Sequence, residues 1–309
     1  MYELPVGACA RAGHLFDSLD HHLAVRGILE GTVTARVFAD HPTFPQSVFA
    51  WTGHRLFLAG SAQNQEFNED IRRLIATIVY PQASNVGNHM FILYYAPGDW
   101  ESTIEWILDG KCPISDERLY FETKGRGADG RAPLPDGYAL RWVDEALLKE
   151  ERLKNIDALR EEMCSERASV ADFLAMSFGF CLVRADEIVG WCLSEYNTAD
   201  RCEVGIATAE GHRRQGLATA MACALVERAI RKGIERIGWH CWANNLASAA
   251  TALRAGFEKA ADYPVFFAWF DEAENQAVNG NARLCRREYA NDLPSTSRLC
   301  MVQASGAPS

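Results

Sequence analysis

Residues 210–221, EGHRRQGLATAM, set two adjacent arginines and a glycine between a strand-like run, CEVGIAT (202–208), and a helix-like run in which Leu217, Met221, Leu225, Val226 and Ile230 recur at helical spacing. Gly233 stands where a left-handed C-cap is expected, and RIGWHCW (236–242) then reads as another strand, so the quoted turn opens the helix of a βαβ unit. At such a junction the first N–H groups of the helix have no intrahelical acceptor, and the helix dipole adds partial positive charge. Gly216 lets the backbone approach a ligand without a side chain in the way, and Arg213 and Arg214 add charge-assisted hydrogen bonds. The turn reads as a seat for an anion, a diphosphate above all. The competing reading is a solvated turn that only reverses the chain. The absence of GxxxxGK[ST], and of GxGxxG with an acidic residue on the following strand, argues against P-loop and Rossmann sites.

Working outward, FGFCLVRA (178–185), IVGWCLSEY (188–196) and CEVGIAT are three strand candidates separated by the short polar stretches ADE and NTAD, which suit hairpins between antiparallel neighbours. After the βαβ unit, ANNLASAATALRAG (243–256) reads as a helix with an asparagine near its N-cap and Gly256 at its end, followed by a last strand, VFFAWF (265–270). Upstream lie YALRWVDEALL (138–148), a charged helical stretch from Lys149 to Cys164 and a shorter helix over Val170–Met176. KGRGADGRAPLPDG (124–137) has the glycine, proline and charge of a linker. Before it, GTVTARVF, QSVFAW and HRLFLAG read as strands, FNEDIRRLIATIVY as an amphipathic helix, HMFILYYA as a buried strand, WESTIEWIL as a helix and RLYFET as a closing strand. The expected organisation is a mixed α/β domain over 1–123, a linker over 124–137, a second α/β domain with a mixed sheet over 138–271, and a tail of little pattern over 272–309.

The composition fits this plan. A chain of 309 residues, 48% hydrophobic and 23% charged, suits two globular domains. A formal charge of −10 argues against general nucleic-acid binding and favours cationic partners. No stretch has the run of about 18 apolar residues that a membrane span needs, and MYELPVGACARAGHLF lacks the features of a signal peptide, so the expected location is the cytoplasm, away from membranes. The ten cysteines show no CxxC or zinc-finger spacing; Cys181, Cys192 and Cys202 sit in apolar runs and read as buried, reduced thiols. His21 and His22, near Asp17 and Asp20, read as part of a solvated helix face rather than as metal ligands, and no metal is expected.

The run Arg213-Arg214-Gln215-Gly216-Leu217-Ala218 resembles the R-x-x-G-x-A phosphate loop of the GNAT N-acetyltransferase superfamily, which grips the pyrophosphate of acetyl-CoA. Three further features agree with it. Ile206-Ala207-Thr208 lies where that family pairs its backbone with the acyl-pantetheine, Asn245 where it places a coenzyme-contacting asparagine, and Gly256-Phe257 at its closing "GF". The resemblance spans about 138–271, and within the superfamily it is similar to the bacterial acetyltransferases related to zwittermicin A self-resistance proteins. It implies a mostly antiparallel sheet that splays between its fourth and fifth strands, and direct acetyl transfer from acetyl-CoA to the amine of a small molecule.

Such transfer needs a base for the amine, a donor to the thioester oxygen and a proton for the departing thiol. Glu203 is the candidate base and Glu195 the second choice, against the reading of both as surface carboxylates at hairpin ends. Backbone N–H groups of Ile206 or Ala207 serve the oxygen if the strand bulges there. Where many relatives carry a tyrosine, seven residues after the asparagine, this chain has Ala252; Ser248 or Tyr263 are the substitutes considered, with helix capping and aromatic packing as their structural alternatives. Ser248 is also counted among the coenzyme contacts. Trp239 and Trp242 are candidates for the acceptor pocket or for the core. A non-catalytic coenzyme-binding module stays open as a second reading, and a homodimer is compatible with either. The first half offers Gly60 but no arginine in GSAQNQEFNED, with Glu66, Glu69 and Asp70 opposing a diphosphate; it is expected to be a degenerate GNAT-like copy or an unrelated scaffold that binds no coenzyme.

Overall fold

The structure is a computed structural model that describes residues 1–85, 90–124 and 134–270. Most of the expected linker and the whole tail lie outside the described residues. In chain order the strands are β1 (Tyr2–Leu4), β2 (Arg36–Ala39), β3 (Ser47–Thr52), β4 (Arg55–Gly60), β5 (Met90–Ala96), β6 (Ile114–Thr123), β7 (Tyr138–Trp142), β8 (Gly179–Arg184), β9 (Glu187–Glu195), β10 (Arg201–Thr208), β11 (Arg236–Trp242) and β12 (Glu258–Trp269). The helices are α1 (Leu23–Glu30), α2 (Gln65–Leu74), α3 (Tyr80–Asn85), α4 (Glu101–Ile107), α5 (Glu145–Leu148), α6 (Ile156–Met163), α7 (Val170–Met176), α8 (Leu217–Arg231) and α9 (Leu246–Arg254).

Two compact units share the chain. The first holds residues 1–121, 240–249 and the described residues from 259 on; the second holds 122–239 and 250–258. In the first, β1 to β4 form an antiparallel meander, β4 pairs in parallel with β5, and β5 pairs antiparallel with β12 through Val265–Trp269. In the second, β7 to β10 form an antiparallel meander and β10 pairs in parallel with β11. Each unit thus makes the same sequence of connections: a helical excursion from its first strand to its second (residues 5–35 in one, 143–178 in the other), short returns to the third and fourth, and then a helical crossover, α2–α3 in one and α8 in the other, to a parallel strand.

Local chemistry explains most boundaries. Asn64 accepts the Phe67 N–H and starts α2, Asp144 accepts from Leu147 and starts α5, and Ser169 accepts from Asp172 and starts α7. Four details depart from the sequence reading. Strand β2 starts at Arg36 and not at Gly31, because Gly31 takes the left-handed cap of α1 and its N–H returns to Gly27 and Ile28. The helix expected from Lys149 forms only over Ile156–Met163, because Lys154 is drawn into backbone bonds with Asp186 and Ile188 beside β9. Ile230, expected on the buried face of α8, is 38% exposed; Ala229 is buried in that last turn instead. His22 is 4% exposed and does not lie on a solvated face. Its ring packs at 4.4 Å from Tyr94 and 5.0 Å from His240, among the first unit's aromatic residues. The eight described cysteines are free thiols, and Cys181, Cys192 and Cys202 are buried as expected.

Burial, with the Arg55 and Arg118 guanidinium groups nearby, lowers the pKa of His54 to about 3, and burial with the charges of His21, His240, Arg118 and Arg55 lowers that of His22 well below the ordinary value. Between about pH 6.5 and pH 3 the unfolded chain therefore holds a proton at His54 that the folded chain does not, so stability is complete above that window and falls on acidification through it. Thermal unfolding followed from pH 7 to pH 5 should show a falling midpoint, and His54→Gln should reduce the proton uptake on unfolding near pH 5 by about one. An unchanged uptake in that variant would mean that His54 is protonated in the native state.

Candidate active site

The candidate site of the second unit is built on β10 and the turn into α8. The antiparallel ladder of β10 with β9 runs without a register shift from Glu203↔Glu195 to Thr208↔Gly190, whereas its parallel ladder with β11 spans only Arg201–Glu203 against Arg236–Gly238. No bulge forms at Ile206 or Ala207; the irregularity of this meander lies at Leu182/Val183 on β8. The alternation of the ladder still separates the two candidate donors. Ala209 donates to the Val189 carbonyl at 2.8 Å, which makes Ala207–Trp191 and Gly205–Leu193 the pairs that exchange both hydrogen bonds. The Ala207 N–H is therefore spent on β9, and the Ile206 N–H projects from the other edge of β10, beyond its three-pair ladder with β11.

A short 3₁₀ turn (Glu210–His212) leads from β10 to the loop, and residues 213–216 are all exposed. Arg214 and Gly216 both take left-handed conformations, φ 62° and 76°, which fold the loop back onto the start of α8. Gly216 is the N-cap, no side chain caps the helix, and the space in front of Gly216 is open. Arg213 Nε donates to the Thr208 carbonyl at 3.0 Å, so one of the two arginines is anchored to the end of β10. The sequence reading missed the other brace. Tyr138 Oη lies 2.7 Å from His212 Nδ1 and 3.3 Å from Gln215 Oε1, while Arg184 donates to the same hydroxyl and lies over the ring at 5.0 Å. Two distant strands, β7 and β8, thus hold both ends of the loop, a contact that no local motif encodes.

Glu203 and Glu195 face each other across β10 and β9, and at 6% and 9% exposure neither is a surface carboxylate. Gly205 makes room for this pair: a Cβ at that position would stand 1.8 Å from Glu195 Oε1. Arg167, buried at the start of the neighbouring α7 region, places a positive charge near Glu195 and donates through Nε to Ser177 at 3.1 Å. Trp239 is buried against Phe257, edge to face at 5.5 Å, so it belongs to the core.

Asn245, Ser248, Tyr263 and Trp242 belong to the first unit. Asn245 Oδ1 accepts the Ser248 N–H at 3.0 Å and so caps α9, and the Ser248 side chain hydrogen-bonds Cys241. Trp242 is buried beneath the Arg118 guanidinium at 4.9 Å. Tyr263 Oη lies 2.8 Å from His240 Nδ1. Among the described residues no group of histidine, cysteine and carboxylate side chains is arranged to hold a metal, and no helix is long and apolar enough to cross a membrane.

A family model described as GNAT acetyltransferase matches residues 13–266, so the match takes in the first unit as well as the second. The chain belongs to the GNAT acetyltransferase family. It is 28% identical over 254 residues to an uncharacterized N-acetyltransferase, YdfB, of Bacillus subtilis (strain 168), which covers 82% of this chain and 93% of that protein. A GCN5-related N-acetyltransferase-like protein from Streptococcus suis 89/1591 shares the fold with a TM-score of 0.63 at 21% identity, covering 85% of this chain and 98% of that one. A GCN5-related N-acetyltransferase from Sphaerobacter thermophilus does so with a TM-score of 0.56 at 13% identity, covering 86% and 94%. The chain is an N-acetyltransferase of a family that uses acetyl-CoA as co-substrate.

The loop fits a diphosphate: it is exposed, basic, open in front of Gly216 and set at an uncapped helix N-terminus. Gly216→Glu should abolish acetyl-CoA binding in calorimetry while the protein stays folded, because it brings negative charge to that opening. Gly216→Ala carries the same backbone strain, about 1 kcal/mol, without the charge and should retain most of the affinity. Arg213→Ala should weaken binding about tenfold, the loss of one charged hydrogen bond. Unchanged affinity in the Gly216→Glu variant would place the coenzyme elsewhere.

Proposed function

We propose that this N-acetyltransferase moves the acetyl group of acetyl-CoA directly onto a primary amine of a small molecule, without an acyl-enzyme. The observation that carries this reading is the buried Glu203–Glu195 pair. Two carboxylates side by side and away from bulk water give an incoming amine an acceptor for its proton. Glu203, at the point where the β10–β11 ladder ends, is the base, and Glu195 is its partner.

Acetyl-CoA supplies an activated acyl group. The residues that would hold it are Arg213, Arg214, Gln215, Gly216, Leu217 and Ala218 at the diphosphate and Ile206, Ala207 and Thr208 along the strand, with Asn245 and Ser248 assigned to it by the family pattern. Ile206, whose N–H leaves the free edge of β10, is the donor to the acyl oxygen. Tyr263 and Ser248 are the candidates for the acid; the Tyr263 hydroxyl is hydrogen-bonded to His240 and the Ser248 side chain to Cys241. The free thiols agree with a reducing cytoplasm, and the loop and its neighbours with the bacterial subgroup related to zwittermicin A self-resistance proteins.

Glu203→Gln should lower kcat about 100-fold toward the best acceptor in a panel of primary amines and leave acetyl-CoA affinity unchanged. Raising the pH should restore part of the rate, because more of the amine, with an ordinary pKa of about 10.4, is then neutral. Wild-type turnover in this variant would remove Glu203 from the reaction.

A further inference from the structure

Both units turn from the fourth strand of a meander into a crossover helix, but the two turns have opposite chemistry. In the second unit the turn from β10 to α8 is basic, its helix is uncapped and the space before Gly216 is open. In the first unit the turn from β4 to α2 begins at Gly60, where a Cβ would stand 2.1 Å from the Gln46 carbonyl oxygen, so this glycine serves backbone packing. Asn64 Oδ1 takes the Phe67 N–H at 3.1 Å and fills the N-terminal seat that a phosphate would need. No arginine stands between Gly60 and Asn64. A cleft of about 360 Å³ nevertheless lies beside this turn, between α2 and α4, with Asn68, Glu69, Asp99, Ser102 and Trp106 in its wall.

Two observations fix what this cleft accepts. Asn68 is 5% exposed, and its Nδ2 donates to the Ala62 carbonyl at 2.8 Å, which assigns the other amide atom as the oxygen. That Oδ1 is buried without a hydrogen-bond partner, and only a donor satisfies it. The carboxylates point the same way. Asp70 and Asp109, outside the cleft, are each held by a cation: Asp70 by the N-terminal ammonium at 2.7 Å and by Arg73, Asp109 by Arg72 at 3.3 Å. Arg72 is further engaged by the Trp106 ring at 4.8 Å. Among the described residues neither Glu69 nor Asp99 has an ion-pair partner. Helix capping does not account for Glu69, which stands in the second turn of α2, past the reach of the helix dipole. We propose that the cleft between α2 and α4 binds a small alkylammonium ligand, one N–H donating to Asn68 Oδ1 and the charge resting between Glu69 and Asp99. Two carboxylates match a diamine, and the volume holds one. A diphosphate meets the reverse, a capped helix and uncompensated negative charge.

Titration of the intact, coenzyme-free chain with putrescine, followed at the indole N–H resonance of Trp106, reads the cleft through a residue of its own wall. Saturable movement of that resonance is expected, and no movement overturns the proposal. Glu69→Gln combined with Asp99→Asn should weaken binding about tenfold. Glu161→Gln combined with Glu258→Gln, two exposed carboxylates elsewhere, should leave it unchanged; equal losses in the two variants would reduce the effect to net charge and overturn the site. The fully N-methylated diamine keeps both charges but has no N–H for Asn68, so it should bind about tenfold more weakly, and equal affinity overturns the proposal. Glu203→Gln should leave the titration as it is, so the cleft stands or falls apart from the transfer chemistry; a weakened titration there would assign the signal to the transfer site instead. Acetyl-CoA affinity should be the same in the Glu69 and Asp99 double variant as in the wild type, and a change would make the cleft part of the coenzyme site.

Discussion

Strand β10 is paired over six residues on one edge and over three on the other, and the site of the second unit depends on that inequality. The full ladder with β9 fixes which N–H groups turn inward and which turn away, so the edge beyond Glu203 offers the N–H of Ile206 without any bulge. The same strand ends at Thr208, whose carbonyl anchors Arg213, and the chain then needs left-handed residues at 214 and 216 to reach α8. Short parallel pairing, a strained basic turn and an uncapped helix thus follow from one another along sixteen residues.

The opposed glutamates are a local conflict of the kind that folds carry where they do chemistry. What the fold supplies is space, through Gly205, and a compensating charge, through Arg167.

Much of this was legible in the sequence where information is local. Hairpin separators, helical spacing in α8, the capping glycine at 233 and the loop 213–218 all declare themselves within a dozen residues. Burial of Glu203 and Glu195 was not, since a carboxylate at a hairpin end is as easily exposed, and only the folded meander lays the Glu195 side chain over Gly205. Tyr138 escaped because its partners His212 and Gln215 are more than seventy residues away. His22 was misjudged for a similar reason: its aspartate neighbours in sequence suggest water, whereas its neighbours in space, Tyr94 and His240, come from β5 and β11. The helix over 149–155 failed because backbone bonds to Asp186 and Ile188 outweigh a propensity worth a few tenths of a kcal/mol per residue.

The units are also less separable than the order of motifs suggests. Strand β11 gives Arg236–Trp239 to the second unit and His240–Trp242 to the first, and β12 leaves the second unit after Glu258 to complete the sheet of the first against β5. The histidine and tyrosine that pair in the first unit are therefore both supplied by the later half of the sequence, while His21, whose carbonyl sets the tautomer of His240, comes from its beginning. Cutting the chain at the linker would leave Val265–Trp269 without the strand it pairs with and His240 without its acceptor.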